Sequence, residues 1–347
     1  MNKLLQTKRP LLIFVVAVLC FFFFYIGFWA YRLVAAPNFK SEGTGYVYID
    51  NSKDFDNLCY QLKDSAACVR IGLFRQLAER VQYPENMRTG RYAITPGMTN
   101  LELLRDLRRG QQVPVNITFN NIRFMDDLAE RLDDQLMLNK GDLLKLLKDS
   151  AYCASLGFNK ETIRAMFIPN TYEVYWNISA ERLIHRMKKE YDAFWTDHRL
   201  AKAHSIGLSP VQVGVLASVV EEETADPDEY PIVAGLYINR LHRRIPLQAD
   251  PTVKYAIGDF SLQRILYEHL EVNSPYNTYK NLGLPPGPLR VPTIKAMNAV
   301  LNYTNHNYLY MCAKEDFSGH HNFAVTLAEH NRNANKYRAE LNKRNIR

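Results

Sequence analysis

Signatures of metal and redox sites are missing from this chain. Its 347 residues hold only five cysteines, and no Cys-x-x-Cys pair occurs among them. Zinc-ribbon and thioredoxin-type chemistry are thereby excluded, and no metal site is expected. Neither Gly-x-Ser-x-Gly nor His-Glu-x-x-His occurs, which excludes the commonest hydrolase and metalloprotease motifs. No phosphate-cradling glycine loop is present, so no cofactor is implied. Acid is missing from the first 35 residues, which carry Lys3, Lys8, Arg9 and Arg32. That stretch supplies +4 of the formal +7, and leaves 39 basic against 36 acidic residues in the other 312. A polycationic nucleic-acid binder is therefore excluded.

What the N-terminus has is apolar length. Leu11 to Tyr31 runs 21 residues without a charge. At ~1.5 Å per helical residue this crosses a ~30 Å hydrocarbon core. It exceeds the ~7–15 apolar residues of a cleavable signal peptide. Pro37 after Ala35-Ala36 makes a poor cleavage junction. An uncleaved anchor in the cytoplasmic (inner) membrane is expected. Lys3, Lys8 and Arg9 place the N-terminus in the cytoplasm and the rest in the periplasm or outside. Cys59, Cys68, Cys153 and Cys312 then lie where disulfides could form, with Cys59 and Cys68 the one near pair.

The pattern after the anchor predicts an α+β chain. Residues 1–36 are the cytoplasmic N-terminus and anchor, and 37–44 a linker. A small α/β module covers 45–119 and a larger mixed α+β domain 120–347. In the module, strands are expected near 46–49, 90–94 and 113–119. Helices are expected at 54–63, 69–80 and 100–109, the last capped by Thr99 and stopped at Gly110. Beyond it, helices are expected near 125–134 and 140–149, then over 180–200, from Ser209-Pro210 to Asp226-Pro227, and over 231–243. Phe167–Tyr172 reads as a loop. Two late strands, 307–313 and 321–326, precede a C-terminal helix.

Chemistry is suggested by Glu221-Glu222-Glu223 in the last turns of one helix. Three carboxylates oppose the helix dipole there by ~0.3–1 kcal/mol each, so fold stability alone would prefer Lys or Arg. Val213, Leu216 and Val220 form a core stripe, and Gly214, Ala217 and Glu221 a neighbouring stripe of small residues ending in a carboxylate. A glutamate beside packed, water-poor surface has a raised pKa and suits a general acid. Glu221 is thus the candidate, with Glu222 and Glu223 expected to be solvated. Three surface glutamates would give the same pattern, and the downstream residues shift the balance. Gln248 and Asp250 sit on an expected proline-fixed turn. Tyr276-Asn277-Thr278-Tyr279 forms a polar aromatic cluster suited to a sugar ring.

These segments, in this order and spacing, resemble one family. They are Val-Val-Glu221-Glu-Glu-Thr, Ile-Asn239-Arg-Leu, Leu-Gln248-x-Asp250-Pro-Thr-Val, Tyr-Asn277-Thr278-Tyr279, Gly283-Leu-Pro-Pro-Gly-Pro and Gly319-His-His321-Asn-Phe. Together they resemble the endolytic murein transglycosylases, the YceG-like family, from about residue 45 to the C-terminus. Position 222 is Glu where the family often has Lys, and Arg290-Val-Pro-Thr293 departs from its usual Asn-Pro-Gly.

The resemblance implies a LysM-like subdomain at 45–119 and a catalytic domain at 120–347. It implies a peptidoglycan lyase that cleaves the bond from N-acetylmuramic acid to N-acetylglucosamine within nascent strands and leaves 1,6-anhydro ends. Glu221 takes the catalytic position. Gln248, Asp250, Asn277, Thr278, Tyr279, His321 and Asn239 are expected to hold substrate. Partners implied are glycan strands, the membrane, cell-wall synthases and division proteins, with no nucleic acid. A muramidase-type hydrolase and a non-catalytic, membrane-anchored glycan-binding scaffold remain the alternatives.

Overall fold

A computed structural model describes residues 3–262 and 264–344. Met1 and Asn2 of the expected cytoplasmic flank lie outside the described residues. The fold is mixed α+β and divides into two compact units. One is Met1–Asn116 with Glu173–Ile178; the other is Ile117–Tyr172 with Ser179–Arg347.

The first unit begins with the helix Lys3–Val34. Its segment Leu12–Val34 is long and apolar enough to cross a membrane. Its side chains have no protein cover along most of that length, and Phe24 is 73% exposed. The last turn differs. Leu33 is buried and Trp29 and Val34 pack against a core that includes Phe39, Phe74, Tyr83 and Leu107. That core lies between an antiparallel pair, Gly45–Ile49 with Gly90–Ile94, and the helices Phe55–Asp64, Ile71–Arg80 and Asn100–Arg109. Strand alternation sets which residues reach it: Val47, Ile49, Tyr92 and Ile94 point inward. Thr99 forms a capping box with Glu102, and Gly110 closes the helix at φ +70°. A buried amide chain ties this helix to the module. Asn38 Nδ2 donates to Asn100 Oδ1 at 2.7 Å, and Asn100 Nδ2 donates to the Leu33 carbonyl at 2.9 Å.

The second unit is built around the helix Pro210–Glu223. Ser209 caps it in a box with Gln212, and Pro210 occupies its first turn, where no N–H is needed. Every residue from Val213 to Val220 is buried, as expected of a helix apolar all round. The helices Tyr230–His242, Asp250–Ile257 and Ile294–Leu301 pack around it. A hairpin pairs Tyr310–Ala313 with His321–Ala324, and the helix Leu327–Lys343 packs on it. Gly287 in the proline-rich stretch has a packing reason: a Cβ there would fall on the Glu161 backbone carbonyl.

Three local expectations are corrected. The helix expected over 180–200 is two, Ala180–Phe194 and Asp197–Ile206, because Thr196 turns extended and accepts from the Arg199 amide as a new N-cap. The expected turn at Asp250-Pro251 is the first turn of the helix Asp250–Ile257, a position that tolerates proline. The expected loop at 167–172 holds over 167–169 only, and its second half belongs to a strand, Asn170–Val174. The cysteines are free thiols; Cys59, Cys68 and Cys153 are buried.

Candidate active site

The three glutamates end the Pro210–Glu223 helix in three different environments. Glu221 is 7% exposed at its side chain. Its Oε2 accepts the Thr293 amide at 2.9 Å, and Arg290 Nε stands 4.0 Å from Oε1. Burial pushes its pKa up, while the Thr293 amide and Arg290 pull it back. Glu222 is clamped. Arg123 Nη2 reaches both its oxygens at 2.8 Å, and Arg290 Nη1 lies 3.2 Å away.

Glu223 faces a cavity of about 320 Å³ whose lining includes Tyr237, Arg240, Gln248, Asp250, Tyr279 and Tyr310. Its Oε2 is buried and has no hydrogen-bond partner among the described residues. Burial first, then the negative charge of Asp250, push its pKa up to about 7; a hydrogen bond from Tyr237 and the charge of Lys254 act the other way. The expectation that Glu222 and Glu223 are solvated is therefore corrected. Glu222 is ion-paired and Glu223 is half-buried, with its Oε2 shut off from solvent. Val213, Leu216, Val220 and Glu223 follow one another at spacings of three, four and three, so Glu223 continues the core stripe itself.

The cavity's other walls are fixed by neighbours. Tyr279 donates its hydroxyl proton to Asp250 Oδ1 at 2.6 Å. The Tyr279 hydroxyl is held well above its ordinary pKa, chiefly by burial and then by Asp250. Arg240 is buried and donates to three carbonyl-type oxygens: Pro246 O at 2.9 Å, Leu309 O at 2.6 Å and Gln248 Oε1 at 2.5 Å. The Gln248 amide group is thus oriented with its NH2 available, on a residue that is itself exposed. The result is one carboxyl group with its pKa raised to about 7 beside a second carboxyl group held by a hydroxyl donor, an arrangement suited to acid–base work.

Of the residues expected to hold substrate, Gln248, Asp250 and Tyr279 share this cavity, and they share it with Glu223. Asn277 and Thr278 do not reach it as contact groups; both are buried. Asn277 Nδ2 donates to the Leu270 and Val272 carbonyls at 2.8 and 2.9 Å. Thr278 Oγ1 lies 2.8 Å from Thr252 Oγ1 and accepts the Ala249 amide at 3.1 Å. They hold the two segments that carry Gln248, Asp250 and Tyr279, which corrects their expected sugar contacts. Asn239 donates to the His306 and Tyr308 carbonyls at 2.7 and 3.1 Å, fixing the strand approach. His321 lies elsewhere in the unit's polar framework. Its Nδ1 and backbone amide each lie 2.7 Å from a Glu229 oxygen, and Glu229 also accepts from buried Thr224. Sequence reasoning misses Arg240 and Tyr237 as site residues, although the Ile-Asn-Arg-Leu segment contains the first.

Comparisons with known proteins agree over most of the chain. A sequence model of the YceG-like family matches residues 47–336. A Bacillus subtilis protein named endolytic murein transglycosylase is 30% identical over 271 residues, covering 74% of each chain. A Streptococcus pneumoniae protein of the same name is 26% identical over 300 residues, 78% of this chain but only 54% of that one. The crystal structure of a yceG-like protein from Listeria monocytogenes matches with a TM-score of 0.55 and 28% identity. That match covers 84% of this chain and 99% of the other.

Proposed function

The chain belongs to the YceG-like family, and from that premise we propose that it is a murein lytic transglycosylase in which Glu223 is the acid. The observation that carries this is the Glu223 carboxyl, its Oε2 shut off from solvent and without a hydrogen-bond partner among the described residues and its pKa near 7, facing the cavity that holds Gln248, Asp250 and Tyr279. The reaction uses one carboxyl twice. Neutral Glu223 gives its proton to the glycosidic oxygen, and the C1–O bond breaks with its electron pair leaving on that oxygen. The C6 hydroxyl of the muramic acid then attacks C1, and its proton returns to the Glu223 carboxylate. A 1,6-anhydro end results and no water is consumed. Asp250, oriented by the hydrogen bond from the Tyr279 hydroxyl, turns its carboxyl oxygens toward the cation developing at C1. Gln248, oriented by Arg240, donates its NH2 to a sugar oxygen.

The Lys3–Val34 helix anchors the enzyme in the cytoplasmic membrane with its N-terminus inside, and residues 45–119 act as a LysM-like glycan-holding subdomain. The catalytic part, residues 120–347, then meets nascent strands outside, close to synthases and division proteins. The test is mass spectrometry of muropeptides after digestion of purified peptidoglycan. Wild type should release anhydro ends and Glu223→Gln none, while Glu221→Gln retains at least a third of wild-type turnover. Loss of turnover in Glu221→Gln with Glu223→Gln active would move the acid to Glu221, whose pKa is also raised. One observation favours a second reading: Asp250 shares the cavity, and a hydrolase needs such a second carboxylate. Ends one water heavier than the anhydro product would establish the hydrolase.

A further inference from the structure

A second cavity opens from the same two carboxyl groups. It measures about 660 Å³, and Glu223 and Asp250 line both it and the smaller one. Its wall carries four cations, Arg123, Lys254, Arg264 and Arg338, with Phe260 and Tyr337 between them. Arg123 is neutralised by Glu222. Lys254, Arg264 and Arg338 form no ion pair among the described residues; Arg338 donates only to the neutral Asn335 side chain at 2.7 Å. Of the facing acids, Glu222 is paired with Arg123 and Arg290 and Asp250 accepts the Tyr279 hydroxyl, so neither is paired with Lys254, Arg264 or Arg338. Three unpaired cations on a concave, aromatic-bearing wall make a site for carboxylates.

We propose that this cavity is a subsite for the acidic peptide on the substrate's muramic acid, read through Arg264 and Arg338. The inference rests on the proposed reaction at Glu223. The lactyl ether on C3 lies two ring carbons from the C1 that is cleaved, so a peptide attached there projects beside the reacting bond. With Glu223 and Asp250 at the junction of the two cavities, the sugar occupies the smaller and the peptide carboxylates the larger. The enzyme thereby distinguishes peptide-bearing strands from strands already stripped by an amidase. Stripped strands keep only a lactyl carboxylate and lack the peptide carboxylates that this subsite reads.

The experiment compares wild type with R264Q/R338Q on peptide-bearing strands, on amidase-stripped strands and on peptide-bearing strands whose carboxylates have been amidated. Wild type should show kcat/KM at least tenfold higher on peptide-bearing strands than on the other two. R264Q/R338Q should lose that preference while staying within twofold of wild type on stripped strands, and R264K/R338K should recover part of it. Equal losses on every substrate, or an unchanged preference, overturn the proposal. A preference that persists on amidated strands and is abolished by inorganic pyrophosphate assigns the cations to a phosphate and also overturns it. Should wild type cleave no strand, the reaction assigned to Glu223 fails. The subsite then stands or falls on calorimetric binding of a free muramyl tripeptide, expected for wild type and at least tenfold weaker for R264Q/R338Q.

Discussion

The proposed chemistry turns on one side chain, Glu223. An ordinary glutamate is ionised at neutral pH and cannot donate a proton; this one, with its pKa near 7, can. Because the neutral form is the reactive one, kcat/KM should be flat below pH 6 and fall about tenfold per pH unit well above 7. A pH–rate profile on soluble strands checks this, and a profile unchanged to pH 9 contradicts it. The same burial has a cost in stability, and its sign follows from the direction of the shift. The folded-state pKa lies above the unfolded value near 4.5, so the stabilisation is complete below pH 4.5 and is lost as pH rises through about 7. Glu223→Gln removes that loss. Its melting temperature should exceed wild type at pH 8 by an amount reflecting roughly 2–3 kcal/mol, and the gap should close by pH 5. Glu221→Gln should behave differently, since a glutamine oxygen can still accept the Thr293 amide. Its stability should change by about 1 kcal/mol or less at either pH.

Elements whose ends carry their own signals are legible in the sequence itself. Thr99 with Glu102, Gly110, and Ser209 with Pro210 each satisfy backbone groups locally, and each boundary falls where those residues stand. Ser209→Ala should therefore destabilise the second unit by about 1 kcal/mol, seen as a shift in urea midpoint at constant m. Boundaries set by packing are not legible in this way. The break at Thr196 shows the limit: the residue carries a cap signal, with Asp197 after it, but a helical run over 180–200 hides it until Phe194 and Trp195 are seen buried beside the break. The glutamate triplet shows the same limit at the site. Helical spacing identifies one face, but which glutamate is buried depends on the helix Asp250–Ile257 and the Tyr279 segment closing over the last turn. The core stripe of Val213, Leu216 and Val220 extends to Glu223, and that continuation is the signal the sequence offers. The buried roles of Asn277 and Thr278 are unreadable because a polar side chain that binds a sugar and one that binds a carbonyl look alike in sequence. Gly287 extends the point to packing. Gly287→Ala drives a methyl group into the Glu161 carbonyl and should cost about 1–3 kcal/mol, read as a lower urea midpoint.

At the scale of the whole molecule, the long apolar N-terminal helix and the folded module that follows it are one structure. An anchor joined by a flexible linker could be cut anywhere before residue 45 without consequence. Here the helix's last turn is part of the module: Leu33 is buried, as is Ala36 just beyond it, and Asn100 donates to the Leu33 carbonyl within the Asn38–Asn100 pair. Two truncations separate these pictures. Removing residues 2–27 deletes most of the exposed apolar length and keeps Trp29, Leu33 and the buried amide chain. Removing residues 2–36 also deletes Leu33 and leaves the Asn100 amide buried without an acceptor. Loss of the leucine costs about 1.5–3 kcal/mol and the stranded amide about 1–3 kcal/mol. The shorter deletion should melt within a few degrees of the detergent-solubilised full chain. The longer one should melt markedly lower, with faster hydrogen exchange at Asn38, Arg70 and Asn100. Equal melting of the two would show the last turn to be dispensable and the anchor to be a simple tether.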